Sequence, residues 1–159
     1  LCFLKGFLSQ HHETVSFVNA EQLAHRIGLR IEEEKDHHFS DYENALKCTL
    51  SKREEEFTIG GAVFSGPHPR LTLINGFVLE MAPTGTILTI KNNDRPGIIG
   101  AIGACLGKHN VNIDQFNLGR DQKGGEAMAL LRIDEDIEED VLKELENQPN
   151  INFVCKIRL

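Results

Sequence analysis

Between Asn92 and Asp114 the chain reads NNDRPGIIGAIGACLGKHNVNID, and this stretch gathers the residue types best suited to hold a small charged ligand. Pro96 fits the first position of a helix, and the free backbone N–H groups near Gly97, Ile98 and Ile99 would form a site for a carboxylate. Gly97 lets a ligand come near the backbone. Asp94 sits beside this anion site and can accept hydrogen bonds from an ammonium group, while the amides of Asn92 and Asn112 both donate and accept. A side rich in N–H groups, an anionic side and amides between them suit a zwitterion. The plainer reading stands beside it: Asp94 caps the helix and Asn112 fills a turn.

The glycines exclude a different chemistry. A dinucleotide cradle needs glycines at i, i+2 and i+5 ahead of the helix, an acidic residue about 20 positions on, and a parallel βαβ unit. Gly97, Gly100, Gly103 and Gly107 instead recur every three or four residues and line one helix face. An interior glycine costs ~1 kcal/mol relative to alanine, so Gly100, Gly103 and Gly107 need a compensating gain of roughly 2 to 3 kcal/mol. Close approach to a sheet or to a second chain is the expected source. Ile98, Ile99, Ile102 and Leu106 are expected to form the neighbouring core stripe.

The elements around this stretch follow from periodicity. LCFLKGFLS reads as an apolar opening strand. A helix follows in VNAEQLAHRIG, with Asn19 and Gln22 as a capping box, Val18 and Leu23 as a hydrophobic staple, and Gly28 as the left-handed stop. Its buried stripe is expected to be Ala20, Leu23, Ala24 and Ile27. LRIEEE, ALKCTLSK, FTIGGAVF and RLTLI read as extended segments, and Asn75-Gly76 turns the last of them into the returning strand FVLEM. Residues 1–83 thus form a strand-rich α/β unit, and APTGT supplies a linker.

From residue 84 the order changes to strand, helix, strand, strand, helix, strand. TILTIK, VNIDQFNLG, AMALLRID and INFVCKIRL are the strands, the last with Ile151, Phe153, Cys155, Ile157 and Leu159 alternating onto one side. The second helix, IEEDVLKELENQ, carries Asp136 and Glu139 as a capping box and buries Ile137, Val141, Leu142 and Leu145. Pro149 ends it. This is the ferredoxin-like βαββαβ arrangement, with two helices on one face of four antiparallel strands, and the whole chain is therefore of the α+β class. Exposed sheet edges make pairing with a second copy the expected solution.

Composition narrows the partners. The chain has 159 residues, 40% hydrophobic and 26% charged, with a net charge of −7. Its acidic runs, Glu32 to Glu34, Glu54 to Glu56 and Asp134 to Asp140, read as solvated faces. Nucleic acid demands a basic stripe and is excluded as the main partner. No apolar run reaches the roughly 18 residues of a membrane span. Cys2, Cys48, Cys105 and Cys155 show no metal or redox spacing and read as buried, reduced thiols of a cytoplasmic protein. His11-His12 and His37-His38 are neighbours that point apart on a strand, so no metal is expected. Leu1 opens the chain without the features of a leader, and the sequence reads as a piece of a longer one.

TIKNNDRPGIIGAIGACLGKHNVNI, with LGRDQKGGEAMALLRID and QPNINFVCKIRL, resembles an ACT domain, an amino-acid-sensing module, over residues 84–159. ETVSFVNAEQLAHRIGL through INGFVLEM resembles the intervening regulatory domain of D-3-phosphoglycerate dehydrogenases, also called the allosteric substrate-binding domain. The resemblance implies a homo-oligomer joined through its ACT domains, with L-serine bound between subunits as a feedback inhibitor. Asp94 matches the residue before Arg-Pro-Gly, Asn112 matches the asparagine of the VNI motif, and Asn92 stands where relatives carry histidine or tyrosine. It further implies catalytic domains elsewhere in the parent chain, which would use NAD, and neither a cofactor nor turnover in this part. Some members bind an anion in the intervening domain; Arg70 matches one of their basic residues, Val78 and Ala82 stand where others would be, and His68 and Arg70 are the local candidates. A serine dehydratase regulatory portion has a similar domain pair, and a purely structural assembly module is the remaining alternative.

Overall fold

The computed structural model describes residues 1–35, 42, 44–64 and 66–159. Two compact units are present, Leu1–Phe39 and Ser40–Leu159.

In the first unit, α1 (Cys2–Ser9) and α2 (Ala20–Arg26) enclose a small core. The opening segment is therefore a helix and not the expected strand. Leu4, Phe7 and Leu8 recur at helical spacing and pack with Ala20, Leu23 and Ala24, whereas a strand would have divided Phe7 from Leu8 across its two faces. Phe3 also stacks on Phe7 one turn later, at 6.2 Å between ring centroids.

The capping of α2 differs from expectation as well. Asn19 occupies the cap position without a capping bond. Its Oδ1 accepts the Ser16 N–H at 2.7 Å and its Nδ2 donates to the Thr14 carbonyl at 2.8 Å, so the amide closes the preceding turn. Val18 is 94% exposed and staples nothing. The C-terminal stop is as read: Gly28 has φ +84°, its N–H donates to the His25 carbonyl, and the Leu29 N–H donates to Ala24. That turn brings Leu29 to the core in place of Ile27, which is exposed. Residues 29–34 form no strand; Leu29 and Ile31 lean on the core and the glutamates face water.

The second unit opens with an antiparallel meander of β1 (Ala45–Lys52), β2 (Glu55–Phe64), β3 (His68–Ile74) and β4 (Phe77–Met81). Asn75 and Gly76 both have positive φ, 47° and 86°, as the tight two-residue turn between β3 and β4 requires. After it come β5 (Thr86–Asn93), α3 (Ile98–Lys108), β6 (Ile113–Arg120), β7 (Glu126–Ile133), α4 (Glu139–Glu146) and β8 (Ile151–Arg158). Their strands pair antiparallel in the order β6-β7-β5-β8, the expected split arrangement.

Both faces of this second sheet are used. On one, Ile98, Ile102 and Leu106 of α3 and Val141 and Leu145 of α4 pack on Leu88, Ile90, Leu131 and Val154. On the other, Ile87, Met128 and Leu130 meet Ile74, Phe77, Leu79 and Met81 from β3 and β4. The contact is tight enough that a Cβ on Gly119 of β6 would lie 2.5 Å from the Val78 carbonyl oxygen, a spacing only glycine allows.

Three readings around α3, α4 and β8 need correction. β8 does not alternate throughout: Ile151 pairs with Asn92 and Phe153 with the adjacent Lys91, so Asn152 is an extra residue that reverses the parity. Ile151 and Val154 are buried, while Phe153, Ile157 and Leu159 are exposed. Asp136 does not cap α4, whose cap position is Glu138. Its Oδ1 accepts from the Ile137 N–H at 3.0 Å and from Lys156 Nζ at 2.9 Å. Gly100, Gly103 and Gly107 do not approach the sheet; a Cβ on any of them would meet nothing within 4 Å. They lie opposite the stripe of Ile98, Ile102, Cys105 and Leu106 that turns inward.

Candidate functional site

Six of the seven expected effector residues meet where β5 runs into α3. Leu88, Ile90 and Asn92 alternate onto the helix-bearing face of β5, so Asn92 lies at the end of the core, 2% exposed. Its Nδ2 donates to the Asn93 carbonyl at 3.0 Å, and its Oδ1 has no hydrogen-bond partner among the described residues. A buried acceptor of this kind is uncommon and calls for a donor.

Above it the chain turns at Asp94, Arg95 and Pro96. Pro96 is not the first helical residue: α3 starts at Ile98, and Gly97 stands at its cap with φ +95°. The left-handed cap swings the chain into the helix without a side chain over the opening, and a Cβ there would meet nothing within 4 Å. Ile98 is buried and anchors the turn, while Ile99 is 53% exposed beside the first-turn N–H groups.

Asp94 is held by a loop that periodicity did not single out. Its N–H donates to the Gly125 carbonyl at 2.8 Å. Its Oδ2 accepts from the Gly124 N–H at 3.0 Å and from Arg120 Nη1 at 3.3 Å. The Gly124 N–H, followed by the Arg120 guanidinium, holds the Asp94 carboxyl below its ordinary value. Asp94 is thus a fixed carboxylate and not a helix cap. Arg120, Gly124 and Gly125 lie 26 to 31 residues further along the chain, and only the pairing of β6 with β7 brings them back.

Asn112 is elsewhere. It follows the C-terminal end of α3, and the 11 residues of that helix separate it from the Asp94 turn by ~16 Å at a rise of ~1.5 Å per residue. Its Nδ2 donates to Asp134 Oδ2 at 2.6 Å and its N–H to Glu135 Oε2 at 2.7 Å. A ligand as small as an amino acid cannot touch Asp94 and Asn112 of one chain. It can touch both only across two chains.

The C-terminal end of α3 carries another group of polar side chains. Cys105 and His109 lie four residues apart, and Glu144 of α4 faces them; their donor atoms all fall within 4.8 Å of one another. His109 Nε2 is 2.9 Å from Glu144 Oε2, and Lys108 Nζ reaches both Glu144 oxygens at 2.9 and 3.0 Å. Hydrogen bonds from His109 and then Lys108 hold Glu144 below its ordinary value, and burial pushes the Cys105 thiol up. The Cys-x-x-x-His spacing within a helix was the available signal for this cluster. All four cysteines are free thiols, but only Cys105 is buried; Cys2 is exposed and the others are intermediate.

The remaining candidates stay apart. His68 is exposed at the start of β3, and Arg70 Nε lies 3.9 Å from Glu80 Oε1, which offsets its attraction for an anion. His11 and His12 follow α1 and belong to no set of three potential ligands among the described residues. His37 and His38 lie outside the described residues. Among the described residues no helix is long and apolar enough to cross a membrane.

Comparison with known proteins gives these positions a context. Residues 1–75 match the model of the D-3-phosphoglycerate dehydrogenase intervening domain, and residues 86–150 match that of the ACT domain. The chain is 34% identical over 157 residues to a D-3-phosphoglycerate dehydrogenase of Bacillus subtilis, covering 98% of this chain and 30% of the relative. It is 33% identical over 158 residues to that of Methanocaldococcus jannaschii, covering 99% and 30%. A probable L-serine dehydratase beta chain of Bacillus subtilis is 28% identical over 138 residues, with 87% of this chain and 63% of the relative covered. The chain therefore spans about 30% of the length of the dehydrogenases it matches.

Proposed function

Because this chain belongs to the D-3-phosphoglycerate dehydrogenase family, as the regulatory region formed by its intervening and ACT domains, we propose that it senses L-serine and passes the signal to an NAD-dependent catalytic part of the same protein in the cytoplasm. Residues 1–83 act as the intervening domain and residues 84–159 as the effector-binding ACT domain.

The observation that carries this reading is the buried Asn92 Oδ1, without a partner among the described residues and two positions before the fixed carboxylate of Asp94. The ligand ammonium donates to Asp94. Its hydroxyl donates to Asn92, and its carboxylate lies on the N–H groups of the first turn of α3 beside Gly97, Ile98 and Ile99. Asn112 of a second copy closes the site, since the Asn112 of the same chain is a helix length away. Pairing of ACT domains thus becomes part of binding and not only of assembly. The solvent-facing Gly100, Gly103 and Gly107 allow another backbone to come near α3.

L-Serine can shift the protein between two domain arrangements only by its difference in affinity for them. The dehydratase relative carries L-serine in its own name, but identity is higher to the dehydrogenases, at 34% against 28%. Arg70 and His68 would form at most a weak anion contact, because Glu80 already faces Arg70.

Calorimetry tests the proposal. L-Serine is expected to bind to the wild-type chain, and Asp94→Ala or Asn112→Ala is expected to abolish that binding. Undiminished heat in both variants would move the site elsewhere, and stronger binding of glycine or threonine would change the ligand.

A further inference from the structure

We infer that Cys105, His109 and Glu144 form a binding site for a zinc-type divalent ion at the C-terminal end of α3, independent of the effector site at its other end.

The backbone brings the three donors together. Cys105 and His109 are separated by one helical turn and so lie on the same side of α3. Glu144 approaches from α4, which packs on the same sheet face. Their donor atoms lie within 4.8 Å of one another, and the His109–Glu144 pair is already at 2.9 Å. Zinc bonds of about 2.0 to 2.3 Å in a tetrahedron put ligand atoms about 3.3 to 3.7 Å apart. Small side-chain rotations therefore separate the His109–Glu144 pair and bring the three atoms to that spacing. Thiolate, imidazole and carboxylate are the donor set of an ion of borderline softness, and three protein ligands leave a fourth position for water.

Charge favours the same occupant. Glu144 already holds a cation, the Lys108 ammonium, across both its oxygens. The Lys108 side chain is 65% exposed and can withdraw into water when an ion takes its place. Cys105 sits in the wall of the core, 4% exposed, where burial and then the negative charge of Glu144 push its thiol up. Binding is the exchange of the Cys105 proton for a metal–sulfur bond: the thiol loses one proton to solvent, the ion gains the thiolate, and Lys108 is released. Two negative ligands and a doubly charged ion leave no net charge in this half-buried position.

The test uses the whole chain with zinc(II), read by competition with a chromophoric chelator, and with cobalt(II), read by absorption. One equivalent of ion per chain is expected, with a thiolate-to-cobalt charge-transfer band and affinity that rises about tenfold per pH unit as one proton is released per ion. The groups that face the thiol throughout are Glu144, Lys108 and His109. Cys105→Ser should remove the band and weaken zinc binding beyond the roughly 10- to 100-fold that loss of a supporting partner costs. His109→Gln should weaken zinc binding likewise, and serves as the test should Cys105→Ser fail to fold. Lys108→Met should tighten binding, because the competing cation is gone, and Cys155→Ser should change nothing. Failure to bind zinc, a cobalt complex without a thiolate band, or equal binding by Cys105→Ser or by His109→Gln would overturn the inference.

Discussion

The two ends of α3 are built in opposite ways. At the N-terminal end a left-handed glycine, an exposed isoleucine and a buried amide whose oxygen has no donor among the described residues surround an open turn, with one carboxylate fixed by a distant loop. At the C-terminal end a glutamate from the neighbouring helix closes over lysine, histidine and cysteine, and their polar groups satisfy one another. The difference shows where a small ligand gains most. An organic ligand gains little where protein groups already pair, a place open only to an ion that displaces one of them, and more where an acceptor has been buried without a donor.

Substitutions should separate the two ends. The largest effect is expected from Ile102→Ala, which empties the shared anchor between them and should cost about 2–5 kcal/mol by chemical denaturation. Both ends should loosen together, as read by hydrogen exchange along α3. Gly97→Ala should cost about 1–2 kcal/mol, because an L-residue is strained at positive φ. It should weaken L-serine binding while leaving the Lys108–Glu144 contact unchanged by NMR. Asp94→Ala should abolish L-serine heat and change thermal stability less than Gly97→Ala. Equal damage to stability would make Asp94 a structural residue alone.

The smallest effect concerns pH. Asp94 and Glu144 both have folded values below the ordinary 3.8 and 4.5. Their stabilisation is therefore complete above those ordinary values and is lost as pH falls through the lowered folded ones. Glu144→Gln should flatten the acid limb of stability against pH slightly, and L-serine binding at neutral pH should remain as in the wild type.

Much of this was legible in the sequence. The split βαββαβ order, the Asn75-Gly76 turn and three of the four expected inward residues of α3, Ile98, Ile102 and Leu106, follow from periodicity and turn chemistry, whereas Ile99 is exposed; the Asp-Arg-Pro-Gly segment falls at the turn between β5 and α3. What escaped had its cause in specific pairings, some near and some far along the chain, that periodicity and residue type do not name. LCFLKGFLS is too short and too uniformly apolar for periodicity to separate strand from helix, and packing on α2 decides. Asn19 and Asp136 have the residue types of helix caps, yet Ser16 and Thr14 claim one and Lys156 the other. The single extra residue at Asn152 inverts β8 without any glycine or proline to announce it. Arg120 and Gly124 could not be assigned to Asp94 until β6 and β7 were paired.

The most direct measurement is L-serine calorimetry on Asp94→Ala and Asn112→Ala chains, first alone and then mixed after subunit exchange. Each variant alone should bind nothing. In a symmetric pair, a mixed dimer keeps one site with an intact Asp94 turn facing an intact Asn112, so random exchange should restore about a quarter of the sites. No recovery on mixing, with exchange confirmed by mass spectrometry, would contradict a site shared between two chains.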